Sequence, residues 1–131
     1  MKSNIIAEGG SAAPRELTFG SIPASVCHNH SDAGGNFDVM HWHSEVQLSV
    51  VTSGRVRFLT RDCEYVLEKG QGIFLNSNRI HMARKDTEET DCSYLCIRFD
   101  PEELCGSLCD SYAVPLIAAS APDAIPLHGK R

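Results

Sequence analysis

Apolar and polar side chains alternate in short runs along most of the chain, from about residue 17 to residue 99. A period of two is typical of β-strands with one face in a core and the other toward solvent. Turn signals such as Ser53-Gly54 and the Gly-containing segment 69–72 separate the runs. Many short strands with frequent turns predict an all-β sandwich or barrel. The predicted strands are 17–22, 25–30, 37–43, 46–52, 55–61, 64–68, 72–75, 79–84 and 92–99.

One helix is predicted after the last strand, over residues 101–112. Asp100 is a favoured N-cap residue, Pro101 suits the first helical position, and Glu103 completes a pattern like a capping box. The helix must end before Pro115, because the residue that precedes a proline avoids the helical conformation.

The pattern divides the chain into three parts. Residues 1–16 form an expected flexible arm, because Gly, Ser, Ala and Pro give that stretch no periodicity. Residues 17–112 form one domain, and residues 113–131 form a linker with an edge strand near 125–127. A chain of 131 residues is long enough for one domain with a substantial core.

Composition is that of an ordinary soluble globular protein, with 42% hydrophobic and 22% charged residues. No apolar run approaches the roughly 20 residues that span a bilayer, and the N-terminus lacks the apolar core of a signal peptide. We therefore expect a cytoplasmic protein without a membrane partner, whose six cysteines are free thiols. The net charge of −5, with scattered basic residues, argues against direct DNA binding by this chain.

Three histidines carry the main chemical signal. His41 and His43 lie one residue apart in a predicted strand, so their side chains share a face, and Gln47 has the same parity. His81 arrives from a separate strand after a Gly-containing turn. These four side chains are therefore expected to converge inside a barrel, as a metal site or as the polar floor of a ligand pocket.

The same residues carry a resemblance. The spacing resembles the two motifs of the cupin superfamily. The blocks 41–48, 67–81 and 96–101, in this order, resemble the N-terminal effector-binding domain of AraC-type transcription regulators. The match covers roughly residues 35–117. It departs from the cupin pattern at Gln47, where the motif has a glutamate ligand, and the later motif has Asn76 and Asn78 in place of a proline and a glycine.

The resemblance implies a cupin-type double-stranded β-helix, that is a jelly-roll barrel, with a short C-terminal helix. It implies an effector-sensing domain that binds a small polar molecule, such as a sugar or a metabolite acid. Effector binding would reshape the N-terminal arm or the region 100–117. Dimerisation helices and a DNA-binding helix-turn-helix part would follow Arg131, so DNA is expected as a partner only through a part absent from this chain. A homodimer is a further expectation.

Three interpretations of the four site residues stay open. Neutral imidazoles suit Zn, Ni or Fe, although the neutral amide of Gln47 should hold a cation less tightly than a carboxylate. The side chains would otherwise line an effector pocket without metal. In the third interpretation they face water, because Met40, Trp42 and Leu48 form the more apolar face of the same segment.

Two other functions are weighed against a sensor. A metal-dependent cupin enzyme, a dioxygenase or an isomerase, would need an open coordination position and a general base, for which Glu45 is the nearest carboxylate. A barrel that only dimerises is the third option. The chain has no nucleophile elbow, phosphate loop or dinucleotide fingerprint.

The last predicted strand presents two faces. Leu95, Ile97 and Phe99 are expected to face the core, which would put Arg98 on the surface. The opposite orientation would let Arg98 bind an anionic effector through its fork of donors.

Overall fold

The computed structural model describes residues 3–5, 15–18, 24–31, 37, 39–86, 91–105, 114–118 and 120–128. The strands in these ranges are β1 (Ser3–Ile5), β2 (Arg15–Thr18), β3 (Ala24–His30), β4 (His41–His43), β5 (Val46–Ser53), β6 (Arg55–Thr60), β7 (Glu64–Glu68), β8 (Gly72–Leu75), β9 (His81–Lys85), β10 (Ser93–Phe99) and β11 (Ala124–Leu127). The helices are α1 (Pro101–Cys105) and α2 (Val114–Ile117). Within these ranges, neither helix has the length or the apolar character needed to cross a membrane.

The strands form two sheets in which neighbours pair antiparallel. The smaller sheet has the order β1-β4-β9-β6-β7, and the larger sheet has the order β11-β8-β5-β10-β3-β2. Many spatial neighbours are far apart in sequence. Cys96 of β10, for example, lies opposite Cys27 of β3 on one side and Ser49 of β5 on the other.

The hydrophobic core lies between the two sheets. In β6, Val56 and Phe58 are fully buried, while Arg55 and Arg57 alternate with them and form ion pairs on the outer face. Tyr94 of the larger sheet packs edge-on against Phe58, with ring centroids 5.2 Å apart. The period of two therefore defines an inner and an outer face for each sheet.

Gly54 closes the hairpin between β5 and β6. Its φ of +64° lies in the left-handed region, as expected for the predicted tight turn. A Cβ at this position would collide with the carbonyl oxygen of Asp91 and with Cys92. The turn can therefore approach the start of β10 closely only with glycine.

The predicted strands agree with the observed elements. Each of the nine overlaps an observed strand, although the stretch predicted as 37–43 is a strand only over β4, and residues 19–22 lie outside the described residues. Asp100 caps α1 as predicted, because its Oδ1 accepts a hydrogen bond of 2.9 Å from the backbone N–H of Glu102. The predicted remainder of this helix, 106–112, is outside the described residues.

Other features were not predicted or stay predictions. Helix α2 was not predicted, and it holds Pro115 in its first turn, where a missing N–H costs no helical hydrogen bond. Strand β11 lies at the edge of the larger sheet, where an edge strand was expected. The domain boundaries at 16 and 112 stay predictions. The four cysteines described with their side chains are free thiols, as expected: Cys27, Cys63, Cys92 and Cys96.

The orientation predicted for β10 was wrong. Tyr94 and Cys96 lie in the core, whereas Leu95 is 36% exposed. Arg98 has the parity of Tyr94 and Cys96, so it lies on the inner face. The error arose because the outer face of the larger sheet is also apolar: Val50, which pairs with Leu95, is itself exposed. Apolar parity alone therefore does not identify the core face of this sheet.

Candidate metal and effector site

Two neighbouring strands of the smaller sheet bring three imidazoles together. His41 and His43 share a face of β4, and His41 pairs directly with His81 of β9. Their possible ligand atoms all lie within 4.8 Å of one another. His43 and His81 are only 1% and 2% exposed. The interpretation in which the histidines face water is therefore wrong for His43 and His81, while His41 is partly exposed. His41, His43 and His81 are called the histidine cluster below.

The turn between β8 and β9 fixes how His81 approaches β4. Asn78 has a φ of +55°, a left-handed conformation that asparagine tolerates better than most residues, which explains an asparagine where the cupin motif has glycine. Its backbone N–H donates to the carbonyl of His43 at 2.8 Å. The hydroxyl of Ser77 donates to the carbonyl of Ser44. These bonds hold the two histidine-bearing segments against each other.

Hydrogen bonds define the tautomer of each ring in the cluster. Each imidazole bonds through Nδ1 to a backbone carbonyl two residues away; the acceptors are the oxygens of Val39, Glu45 and Arg79. A carbonyl oxygen only accepts, so Nδ1 carries the hydrogen and the neutral ring keeps a lone pair on Nε2. The Nε2 atoms of His43 and His81 are buried and have no hydrogen-bond partner among the described residues.

The rings of the cluster are neutral near pH 7. Burial is the largest cause, and it lowers the pKa of His43 to about 4 and that of His81 to about 3. Burial also lowers the pKa of His41. Neutral imidazole is the form that binds a metal ion or accepts a hydrogen bond from a ligand.

Gln47 lies on the inner face of β5, beside the cluster. It is buried, and its Nε2 donates to the hydroxyl of Ser49 at 2.9 Å. Its side chain also interacts with His43 and opposes a small part of the fall in the pKa of that ring. Ser49 uses one of the two N–H donors of the amide, so Gln47 can offer its amide oxygen and its second N–H to a ligand.

The donor set fits a divalent transition metal. Three neutral imidazoles with Nδ1 anchored to backbone carbonyls and Nε2 left as the donor match the usual arrangement of metal-binding histidines. Two of these donors are buried atoms without a hydrogen-bond partner among the described residues, which an ion would satisfy. The amide oxygen of Gln47 is a weaker and uncharged fourth donor.

Arg98, which the sequence pattern placed on the surface, is a neighbour of the histidine cluster. It lies directly opposite Gln47 in the larger sheet, and its positive charge lowers the pKa of all three imidazoles. One signal in the sequence pointed inward: Cys96 and Tyr94 share its parity, and free cysteine is among the most buried residue types.

Comparisons with known proteins agree with this fold. A family model described as the AraC-like ligand binding domain matches residues 22–114. The Bacillus subtilis protein "Uncharacterized HTH-type transcriptional regulator YdeC" is 34% identical over 77 residues, which are 58% of this chain and 26% of that protein. The chain thus matches about a quarter of the length of this relative.

Solved structures with the same fold are cupins. A cupin-like protein from Thermotoga maritima has a TM-score of 0.60 at 19% identity, covering 66% of this chain and 67% of that one. A cupin protein from Bacteroides fragilis has a TM-score of 0.59 at 19% identity, covering 76% and 86%. These likenesses confirm the predicted jelly-roll barrel. The chain belongs to the family of AraC-like ligand-binding domains and has the cupin fold.

Proposed function

We propose that this chain is the effector-sensing domain of an AraC-type transcription regulator, and that the histidine cluster and Gln47 form its effector-binding centre. One observation carries the proposal: the three imidazoles each bring a possible ligand atom within 4.8 Å of the others, and the Nε2 atoms of His43 and His81 are buried without a hydrogen-bond partner among the described residues. A buried polar atom without a partner costs stability. A ligand that uses these lone pairs removes that cost.

The cluster would hold a divalent ion of the kind expected from the sequence, Zn, Ni or Fe. Such an ion would supply a Lewis-acidic centre for an oxygen atom of the effector. The chain's own part is to orient the rings: the carbonyls of Val39, Glu45 and Arg79 fix each Nδ1–H and so direct each Nε2 to one side.

Two connections would carry a signal away from the centre. Strand β1, within the predicted N-terminal arm, pairs with β4, so that Ile5 lies opposite His41. On the other side, Arg79 accepts the Nδ1–H of His81 on its carbonyl, and its guanidinium binds Asp123 and the carbonyl of Ala118. An effector that prefers one arrangement of these contacts would shift the population of the whole regulator. A part of the regulator outside these 131 residues would contact DNA.

A metal-dependent cupin enzyme is the second candidate. The neutral rings of the cluster would suit a catalytic ion as well, and Glu45 is a buried carboxyl close to His43 in sequence. The neutral Gln47 and membership of a ligand-binding family favour the sensor.

The test measures metal and ligand binding on the purified chain. We expect added zinc to raise the melting temperature of the wild-type chain and of His28→Ala, which removes an exposed imidazole, but not that of His43→Leu. If neither zinc nor any small molecule from a metabolite screen stabilises the wild type more than His43→Leu, the centre does not bind ligands. A stabilising molecule recovered unchanged after incubation supports the sensor, and its conversion supports the enzyme.

A further inference from the structure

Two thiols lie side by side on the inner face of the larger sheet. Cys27 of β3 and Cys96 of β10 are directly opposite in an antiparallel pair, where Cα atoms lie about 4.5–5.5 Å apart. Both side chains belong to the core and are only 4% and 3% exposed. A hydrogen bond between the two thiols is the largest cause that raises the pKa of Cys96, so their sulfur atoms are in contact. One ion between the strands would therefore reach both sulfur atoms.

Each sulfur atom also receives a hydrogen bond from a neighbouring polar side chain. The Nδ2 of Asn29 donates to the Sγ of Cys27 at 3.6 Å. On the other side, Ser49 lies directly opposite Cys96, and its hydrogen bond lowers the pKa of that thiol, so the hydroxyl donates to the sulfur. Free cysteine that only fills a core needs no such donors. Donors directed at both sulfur atoms stabilise negative charge on them, as the groups around a metal-bound ligand do.

Gln47 fixes the direction of the Ser49 hydroxyl. The Nε2 of Gln47 donates to the Oγ of Ser49 at 2.9 Å, which leaves the hydroxyl hydrogen of Ser49 for the sulfur of Cys96. The donors around the thiols are thus held in place from outside the pair. An ion bound by the two sulfur atoms would be one side chain away from Gln47.

We propose that Cys27 and Cys96 form a second metal site, which binds one soft monovalent ion of the Cu(I) type between the two sulfur atoms. Thiolate sulfur is a soft ligand that selects Cu(I) over ions that prefer oxygen. The pair supplies two ligands, whereas a structural zinc site takes four. On binding, each thiol releases its proton to solvent as its sulfur–metal bond forms. The site shares no ligand with the histidine cluster.

The test titrates Cu(I) into the purified, reduced wild-type chain in the absence of oxygen. The chelator bicinchoninate is present as a competitor, so that only tightly bound copper stays on the protein. We expect one ion to be retained, and X-ray absorption at the copper edge to show two sulfur neighbours and no imidazole nitrogen. This measurement needs no variant to fold.

Variants assign the ion to the thiol pair. Ser49→Ala should weaken Cu(I) binding about tenfold, and Cys27→Ser and Cys96→Ser should each weaken it more than about a hundredfold, because losing a ligand costs more than losing a group that supports one. The matched control is Cys92→Ser, which removes another buried thiol and should bind as wild type does. His43→Leu should also bind as wild type does. Far-UV circular dichroism shows that each variant folds.

A further control concerns the other closely spaced thiols of the chain. The double variant Cys105→Ser/Cys109→Ser removes both of them and should keep the wild-type affinity for Cu(I).

Three results would overturn the thiol site. In the first, the retained copper has only nitrogen neighbours and is lost in His43→Leu, which would assign it to the histidine cluster and support metal binding there. In the second, folded Cys27→Ser and Cys96→Ser bind Cu(I) as tightly as wild type. In the third, Cys105→Ser/Cys109→Ser alone loses the ion. The second and third results leave the proposed effector centre as it stands.

Discussion

The space between the two sheets has two ends, built from the same strands but lined by different chemistry. The inner residues of β5 and β10 change along each strand from polar to apolar; in order they are Gln47, Ser49 and Val51 on β5, and Arg98, Cys96 and Tyr94 on β10. The apolar end is closed by Phe58 and other core side chains. The polar end holds the histidine cluster.

The comparison separates stability from binding. At the apolar end, each buried group contacts other apolar groups, so burial there favours folding. At the polar end, burial leaves Nε2 atoms of His43 and His81 without hydrogen-bond partners among the described residues, so burial there opposes folding, and a ligand of the proposed kind would remove that cost. Substitutions at the two ends should therefore change different measured quantities.

The largest effect is expected at the apolar end. Phe58→Ala removes a fully buried ring that packs against Tyr94, and we expect the free energy of unfolding to fall by about 3–5 kcal/mol. Urea unfolding followed by far-UV circular dichroism measures this. Val66→Ala, at a position that is 43% exposed on β7, is the control and should change stability little. If His43→Leu lowers the free energy of unfolding as much as Phe58→Ala does, the polar end contributes to stability as the apolar end does, which would contradict this comparison.

Acid should lower the stability of the fold through the histidines of the polar end. In the metal-free chain the folded-state pKa of His43 is about 4 and that of His81 about 3, both below the unfolded value near 6.5. Between the folded and the unfolded pKa values, these two histidines therefore bind more protons in the unfolded chain than in the folded chain. The contribution of these two histidines to stability is then nearly constant well above pH 6.5, and below it falls by up to about 1.4 kcal/mol per pH unit for each histidine as the pH drops toward 4. Urea midpoints from pH 8 to pH 4 measure the slope. His43→Leu should show a smaller slope, and an unchanged slope would contradict this assignment.

Restoring a carboxylate should sharpen the metal preference of the polar end. Gln47→Glu places an anionic oxygen beside the cluster, and we expect zinc to bind on the order of tenfold more tightly in calorimetric titrations. Gln47→Met, which removes the oxygen, should bind zinc more weakly than wild type. If all three forms bind zinc equally, residue 47 does not take part in the centre.

The smallest effect is expected where the polar end meets the C-terminal segment. Arg79→Gln removes the ion pair with Asp123 and the hydrogen bond to Ala118, and should cost about 1 kcal/mol or less. Amide hydrogen exchange should become faster in residues 120–128. Arg61→Gln, at an exposed position, is the matched control. Unchanged exchange in that segment would remove this route for a signal.

Much of the fold could be predicted because alternation is a local property. All nine predicted strands correspond to observed strands, and Asp100 caps a helix as its position indicated. Strand β1 has no local signal, since its three residues become a strand by pairing with β4. Helix α2 was not predicted because a proline such as Pro115 usually indicates the end of a helix, and the local sequence does not show that Pro115 lies in a first turn.

The sequence by itself determined which side chains can share a face: His41 with His43, and Arg98 with Cys96. It did not determine whether that face points inward, because both faces of the larger sheet carry apolar residues. Only the pairing of β4 with β9 in the smaller sheet decided that His81 reaches His41, and only the packing of the two sheets decided that Arg98 faces the cluster. The physical reason is that parity follows from the backbone of one strand, whereas burial depends on what lies on the other side of it.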